Sequence, residues 1–336
     1  MIGALRALMA ALWLLGLSAC APSAGPGPEG EVVHAGAWRH WQPAGVTTTD
    51  NVADDHAPQP AASGPKAVIL ALHGFNDYSN AFQDFAAFAR EHGIAVHAYD
   101  QQGFGVTANR GRWPGTDALV RDLRRAVAEL RAIYGETPLY VLGESMGGAV
   151  AIAASAREGG LDVDGLILSA PAVWGGKHMN LFYRLTLWLA ATVAPGWELT
   201  PPEGLEIWPS DNIEMLRAFS ADPLVIKATR TDAVAGLVAL MDEALAAAPK
   251  LDQDILLLIG EKDEIVPTGA LDDFHGRLQT ARATAIRYPE GYHMLLRDLQ
   301  RARVYADIES WIERLSETGA PTPPTASARL RDATKG

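Results

Sequence analysis

Gly143-Glu144-Ser145-Met146-Gly147-Gly148 is the stretch on which the reading of this chain turns. An apolar run, Pro138-Leu139-Tyr140-Val141-Leu142, leads into it, and a run of small residues, Ala149-Val150-Ala151-Ile152-Ala153-Ala154, leads out. The first run is short and holds β-branched and aromatic residues, so it reads as a buried strand; the second reads as a helix. Gly-x-Ser-x-Gly between a strand and a helix is the pattern of a nucleophile elbow. In such a turn a serine is held in a strained backbone conformation with its hydroxyl exposed. Side chains at the flanking glycines would collide with the neighbouring strand and helix. The bland alternative, a glycine-rich turn with a surface serine, does not account for the apolar runs on both sides.

The same alternation extends outward. Ala67-Val68-Ile69-Leu70-Ala71-Leu72 and Gly93-Ile94-Ala95-Val96-His97-Ala98-Tyr99 read as strands before the elbow, with helical stretches over 79–91 and 117–134. Thr116 is placed to cap the second helix, whose apolar residues Leu119, Val120, Leu123, Val127 and Leu130 recur at helical spacing. After the elbow come Gly165-Leu166-Ile167-Leu168-Ser169, Ile255-Leu256-Leu257-Leu258-Ile259, Ala283-Thr284-Ala285-Ile286-Arg287-Tyr288 and a last helix over 295–315. Strands apolar throughout and alternating with helices predict an α/β fold with a mostly parallel sheet flanked by helices. Two blocks, 66–171 and 249–315, carry this core. Between them, 172–248 breaks the rhythm and is far longer than an ordinary connection. With Trp174, Trp188, Trp197 and Trp208 it reads as an inserted helical cap or lid. Residues 38–42 are placed as a possible edge strand, 44–65 as loop, and 316–336 as a disordered tail rich in Pro, Thr and Ala.

The 336 residues carry a formal net charge of -12 and no cluster of Lys and Arg, which argues against a nucleic-acid partner. The N-terminus reads as a targeting segment. One positive charge, Arg6, precedes an uninterrupted apolar run over 7–17, too short to span a bilayer as a helix. It ends in Leu17-Ser18-Ala19-Cys20, which resembles the lipobox of bacterial lipoproteins. That resemblance implies a signal peptide over 1–19, cleavage before Cys20, and acylation of its sulfur and amine. The result would be a membrane-anchored lipoprotein of the bacterial cell envelope, with 20–65 beginning as a tether. Ala21, where an aspartate can act as a retention signal, favours the periplasmic side of the outer membrane in a two-membrane cell. Several acyl chains on one residue give lasting attachment. Cys20 is the only cysteine, so the chain offers no internal disulfide and no thiolate metal site.

An activated serine needs a base to take its proton, an acid to orient the base, and donors for the oxyanion. In the chain order that goes with the elbow, the acid follows a late strand and the histidine follows the last one. Asp263 lies at the carboxyl end of the strand over 255–259, in Gly260-Glu261-Lys262-Asp263-Glu264; Glu261 and Glu264 are alternative acids, and Asp252 and Asp254 precede the strand, at the wrong end. Of the nine histidines only His275 and His293 follow that acid. His275 falls within a helical stretch and His293 on the loop after the final strand.

With these residues in view, the chain over 66–315 resembles the α/β-hydrolases, and within them the monoacylglycerol lipase and lysophospholipase group. The matching residues are His73-Gly74-Phe75, Asp100…Gly103-Phe104-Gly105, Gly143-Glu144-Ser145-Met146-Gly147-Gly148, Asp222-Pro223-Leu224, Gly260…Asp263…Val266-Pro267 and Gly291…His293. The resemblance implies Ser145 as nucleophile, His293 as base and Asp263 as its orienting acid, with the backbone N–H groups of Phe75 and Met146 as the oxyanion hole. It implies acyl transfer on lipid-like esters, with no metal or organic cofactor. One departure is Gln102, where the group usually has arginine. Within the insert, 179–194 is apolar nearly all round. Such a helix is buried, covers an apolar cavity or faces lipid. As a lid it would place Leu181, Leu185 and Trp188 along an acyl chain. Two rival readings stay open. One is a peptidase of the proline iminopeptidase type, for which Glu198, Glu203, Glu206 and Asp211 are the acidic residues available to a free amine. The other is a non-catalytic binding lipoprotein on the same fold. Protein partners are not indicated.

Overall fold

The computed structural model describes residues 38–42, 64–175, 179–200 and 207–318. The expected signal peptide, Cys20, the tether, most of the 44–65 loop and residues 319–336 lie outside the described residues. In chain order the strands are β1 (Trp38–Trp41), β2 (Ala67–Leu72), β3 (Ile94–Tyr99), β4 (Leu139–Glu144), β5 (Gly165–Ser169), β6 (Glu198–Leu199), β7 (Thr229–Arg230), β8 (Asp254–Gly260) and β9 (Ala283–Tyr288). Seven of them form one sheet in the order β1-β3-β2-β4-β5-β8-β9, while β6 and β7 pair as a small antiparallel ribbon in the insert. Among the described residues of the large sheet only β1 runs antiparallel, pairing with β3 in the register Trp38 with Tyr99. The remaining pairs are parallel.

The continuous apolar strands follow from helices on both faces. Val68, Leu70 and Leu72 of β2 point to the side covered by α2 (Thr116–Tyr134) and α3 (Met146–Ala156), joining Leu119, Leu123, Val127 and Val150. Ala67, Ile69 and Ala71 point to the side covered by α1 (Gln83–Glu91) and α8 (Arg301–Thr318), with Phe82, Phe85, Ile308 and Trp311. Each large apolar side chain buried in this way contributes about 1.5–3 kcal/mol. Strand order reverses between β2 and β4, and such a reversal opens a crevice beyond the carboxyl ends of the strands. The loops after β2, β4, β8 and β9, which carry Phe75, Ser145, Asp263 and His293, all leave the sheet at that end.

The insert holds α4 (Leu181–Val193), α5 (Ile213–Ala221) and α6 (Thr231–Ala247); α7 (Thr268–Arg277) follows β8. Helix α6 is part of the core, through Leu240, Ala244 and Leu245. Helix α4 packs against α6 and buries only Leu187 and Ala190. Among the described residues no helix is long and apolar enough to cross a membrane.

Two boundaries differ from the sequence expectation. Helix α2 begins at Thr116 itself, after Gly115 at φ 87°, so Thr116 is the first helical residue and no side chain caps the helix. The last helix starts at Arg301 rather than 295, and it runs to Thr318, into the stretch expected as tail. Residues 294–300 turn instead, because their polar groups have partners outside a helix. The Met294 N–H donates to Pro209 O at 2.8 Å, and the Asp298 carboxylate accepts from the Tyr292 N–H at 2.8 Å.

Candidate active site

Ser145 sits at the turn between β4 and α3 with φ 50° and ψ -113°, a conformation that costs an L-residue energy unless its surroundings enforce it. Here they do. The Ser145 N–H donates to Ser169 O at 3.0 Å, and its carbonyl accepts from the N–H groups of Ala149 and Ala172, at 3.1 and 2.9 Å. A Cβ at Gly143 would strike the backbone of Gly148, and one at Gly147 would strike the Leu72 carbonyl. Strand β4 and helix α3 therefore approach each other, and β2, as closely as bare glycine allows.

His293 and Asp263 are brought together by the loops after β9 and β8. His293 Nδ1 lies 2.8 Å from Asp263 Oδ2, and both side chains are buried. The other carboxylate oxygen, Oδ1, accepts from the N–H groups of Ile265 and Val266, at 2.7 and 2.9 Å. Asp263 is thus fixed by its own turn and presents its second oxygen to the imidazole. The His293 loop is held on both sides by the Tyr292–Asp298 and Met294–Pro209 bonds. Asp298 is fully buried and also accepts from Ser210 Oγ at 2.6 Å; its pKa is pushed up to about 6, chiefly by burial. Through Pro209 and Ser210 the insert therefore grips the loop that carries His293.

Burial disfavours a charged imidazole at His293. The Asp263 carboxylate, its hydrogen bond and the more distant Glu144 outweigh that effect, against an opposing push from Arg297, so the pKa lies above the usual 6.5. Only the neutral ring can accept a proton from Ser145. With His293 as base, activity is lost as pH falls through this raised value. kcat/KM for a soluble nitrophenyl ester is expected to show an acid limb with an apparent pKa above 6.5. A limb centred at about 5 would mark an ordinary carboxylate as the essential base.

The loop after β2 lies directly on the elbow: a Cβ at Gly74 would stand 3.5 Å from Ser145 Cβ and 3.6 Å from Glu144 Oε1. His73 Nε2 accepts the Gln101 N–H at 3.0 Å, which leaves the proton on Nδ1 to donate to Gly74 O at 2.8 Å. Gln101 Nε2 donates back to His73 O at 2.9 Å. Burial holds the His73 pKa below its usual value, consistent with this neutral tautomer. The Phe75 ring packs edge-on against Phe104. The Met146 amide is the first of α3 and so has no carbonyl within the helix. Among the described residues neither this N–H nor that of Phe75 is taken by a backbone acceptor. Gln102 turns away from the site and donates to Asp122 Oδ2 on α2 at 2.8 Å.

Sequence reasoning did not find Arg297. Its Nη2 lies 2.7 Å from Asp77 Oδ2 and 2.8 Å from Glu144 Oε1, all three side chains being buried. A cleft of about 190 Å³ is lined by Asp77, Asp222, Met215, Phe219 and Arg297 but not by Ser145 or His293. Glu144 stood inside the quoted motif; nothing in the sequence paired it with a residue so far along the chain.

The other candidates fall as follows. Glu264 accepts the Trp208 N–H at 2.9 Å, and Glu261 pairs with Arg287 at 2.8 Å, so neither faces His293. His275 lies in α7. Leu181, Leu185 and Trp188 are 76%, 58% and 61% exposed on the outer side of α4. Of the acids available to a free amine, Asp211 accepts the Leu299 N–H and Glu198 is exposed in β6, while Glu203 and Glu206 lie outside the described residues. Among the described residues no group of three or more His, Cys, Asp or Glu is placed to hold a metal ion.

Known proteins share this arrangement of strands and loops. Residues 63–300 match the Hydrolase_4 family, described as "Serine aminopeptidase, S33". The chain is 28% identical over 260 residues to the monoacylglycerol lipase of Mycolicibacterium smegmatis, covering 74% of this chain and 88% of that protein. It is 26% identical over 293 residues to the monoglyceride lipase of Homo sapiens, covering 85% and 89%. The crystal structure of Paleococcus ferrophilus monoacylglycerol lipase superposes with a TM-score of 0.66 at 19% identity, over 82% of this chain and 97% of that one.

Proposed function

The chain belongs to the Hydrolase_4 family and is a serine hydrolase of α/β-hydrolase fold, and from that premise we propose that it cleaves monoacylglycerols at a membrane surface. The observation that carries the reading is the 2.8 Å bond between Asp263 and His293, on the rim of the sheet that also bears the strained Ser145. Ser145 attacks the ester carbonyl while His293 takes its proton through Nε2. The developing oxyanion is held by the Phe75 and Met146 N–H groups. His293 then protonates the departing glycerol and activates water against the acyl-enzyme. Asp263 keeps a proton on Nδ1 throughout and stabilises the imidazolium that forms when Nε2 takes the second one.

The substrate class draws support from the relatives named as monoacylglycerol and monoglyceride lipases. It also draws on the outer face of α4, where Leu181, Phe182, Leu185, Trp188, Leu189 and Val193 are exposed together. An apolar face of this kind is rare on a surface that meets only water. We assign α4 as the lid, with Leu181, Leu185 and Trp188 meeting the acyl chain or the lipid that presents it. Lipidated Cys20 would hold the enzyme at that surface, in the bacterial envelope.

The test is a matched panel of monoacylglycerols, lysophospholipids, nitrophenyl esters of rising chain length and aminoacyl amides. Burial of each methylene contributes about 0.8 kcal/mol, or nearly fourfold in kcat/KM, so activity should rise steeply over medium chains. Monoacylglycerol is expected to be the best natural substrate, and Trp188→Ala to flatten the chain-length slope while sparing acetate esters. Preference for aminoacyl amides, or a flat slope in the wild type, would overturn the reading.

A further inference from the structure

Arg297 lies four residues beyond His293 and makes one of the most deeply buried charge contacts in the described chain. Its Nη2 bridges Asp77, on the segment that follows Phe75, and Glu144, the residue before Ser145. Phe219 of α5 covers the guanidinium, 5.5 Å from its centre. One cation therefore touches the three loops that carry the candidate oxyanion donor, nucleophile and base.

Such a cluster is poorly explained as a source of stability. Two carboxylates against one guanidinium leave a net negative charge on side chains that are almost wholly buried. Glu144 Oε2 and Arg297 Nε also have no hydrogen-bond partner among the described residues, and Asp77 Oδ2 meets Arg297 as an ion pair without hydrogen-bond geometry. Buried ion pairs can often be replaced by apolar residues with no loss of stability, because desolvation cancels most of the attraction. What a bridging guanidinium does supply is geometry: a single nitrogen, Nη2, stands between the two carboxylates and ties together the segments that carry them. We propose that Arg297, Glu144 and Asp77 form a positioning unit that locks the Phe75, Ser145 and His293 loops in register.

The charges acting on His293 are Asp263 from the loop after β8, Glu144 from the end of β4 and Arg297 from its own turn. Glu144 favours the protonated ring and Arg297 opposes it. His73 faces the cluster from the loop after β2, with Asp100 acting on it in turn, while Asp298 faces it from the turn before α8 and Tyr305 from α8. Burial lowers the His73 pKa and raises that of Tyr305, so in each it favours the uncharged form. Within the cluster Glu144 and Arg297 thus act on the base with opposite signs.

The inference rests on the proposed triad, and its test separates the two. pH profiles of kcat and KM on a soluble nitrophenyl ester are measured for wild type, Glu144→Gln, Arg297→Gln, Arg297→Lys and the Glu144→Gln/Arg297→Gln double variant. Active sites are counted by fluorophosphonate titration and Ser145→Ala serves as control. Glu144→Gln removes a negative charge and should move the acid limb to lower pH by about half a unit or more. Arg297→Gln leaves two carboxylates unopposed and should move it to higher pH. Arg297→Lys keeps the charge and should hold the limb near wild type, though with kcat per active site lowered about tenfold because an ammonium on a differently shaped stem does not stand where Nη2 meets both carboxylates. The double variant restores the net charge and should return the limb towards wild type while kcat stays low and KM changes little. If Arg297→Gln fails to fold, the Glu144→Gln shift alone decides. A merely structural cluster predicts fewer titratable sites and a lower Tm with the limb and the kcat per site unmoved; that outcome overturns the inference with the triad intact. Undiminished turnover in Ser145→Ala would instead remove the triad reading beneath it.

Discussion

Ser145→Ala is expected to fold as the wild type does and to lose activity by about three or more powers of ten, equivalent to roughly 4 kcal/mol of transition-state stabilisation. The structure gives a reason to expect an intact fold. The Ser145 backbone is held by Ser169, Ala149 and Ala172, and none of these bonds uses the side chain. A Cβ added at Gly74 would meet Ser145 at its Cβ, an atom that alanine keeps. The strain at φ 50° is the same for either residue. What disappears is the hydroxyl alone. A fluorophosphonate should label the wild type at Ser145 and leave the variant unlabelled, as read by mass spectrometry. Undiminished labelling or turnover in Ser145→Ala, with Tm unchanged, would show that the elbow does not carry the nucleophile.

That prediction could be written from residue order alone, and the reason is physical. A strand covered on both faces must be apolar at every position, so β2, β4, β5 and β8 stand out against their loops. The elbow is legible because two close backbone approaches demand glycine at Gly143 and Gly147. Asp263 and His293 are legible because each sits within a few residues of a strand end, and topology does the rest. The edge strand β9 shows what weakens the signal: exposed on much of its length, it alternates less clearly. Contacts of long sequence separation left no such trace. Arg297 and Glu144 are 153 residues apart, and a lone arginine after the histidine looks like any surface charge until the fold brings a carboxylate to it. The end of the chain misled for a similar reason. Leu295 and Leu296 are buried and helix-like in pattern, yet the turn before α8 is set by Pro209 and Ser210 from the insert. The apolar character of α4 was visible, but which of its faces turns outward depends on α6, against which Leu187 and Ala190 are buried.

Asp263→Asn is the second change expected to be severe, and the arrangement around the carboxylate dictates how. Oδ1 accepts two backbone N–H groups, from Ile265 and Val266, and Oδ2 faces His293 Nδ1. An asparagine must turn its carbonyl towards those two donors, so its NH2 group points at Nδ1. Nδ1 must then accept, which places the ring proton on Nε2, the nitrogen that has to receive the proton of Ser145. Activity should therefore fall by about four powers of ten, since the geometry survives while the tautomer is wrong. Loss of the negative charge also removes the main support for the imidazolium, so any residual activity should have its acid limb at lower pH than the wild type. Glu264→Gln and Glu261→Gln provide the contrast. The amide introduced by Glu264→Gln would keep a carbonyl for the Trp208 N–H, and Glu261 sits in a solvent-exposed pair with Arg287. Each of these changes should therefore alter kcat/KM by no more than about a few fold. The three variants are compared by kcat/KM across pH at matched folded fraction. If either glutamate variant proves far more damaging than Asp263→Asn, the acid that orients His293 has been assigned to the wrong residue of the loop after β8.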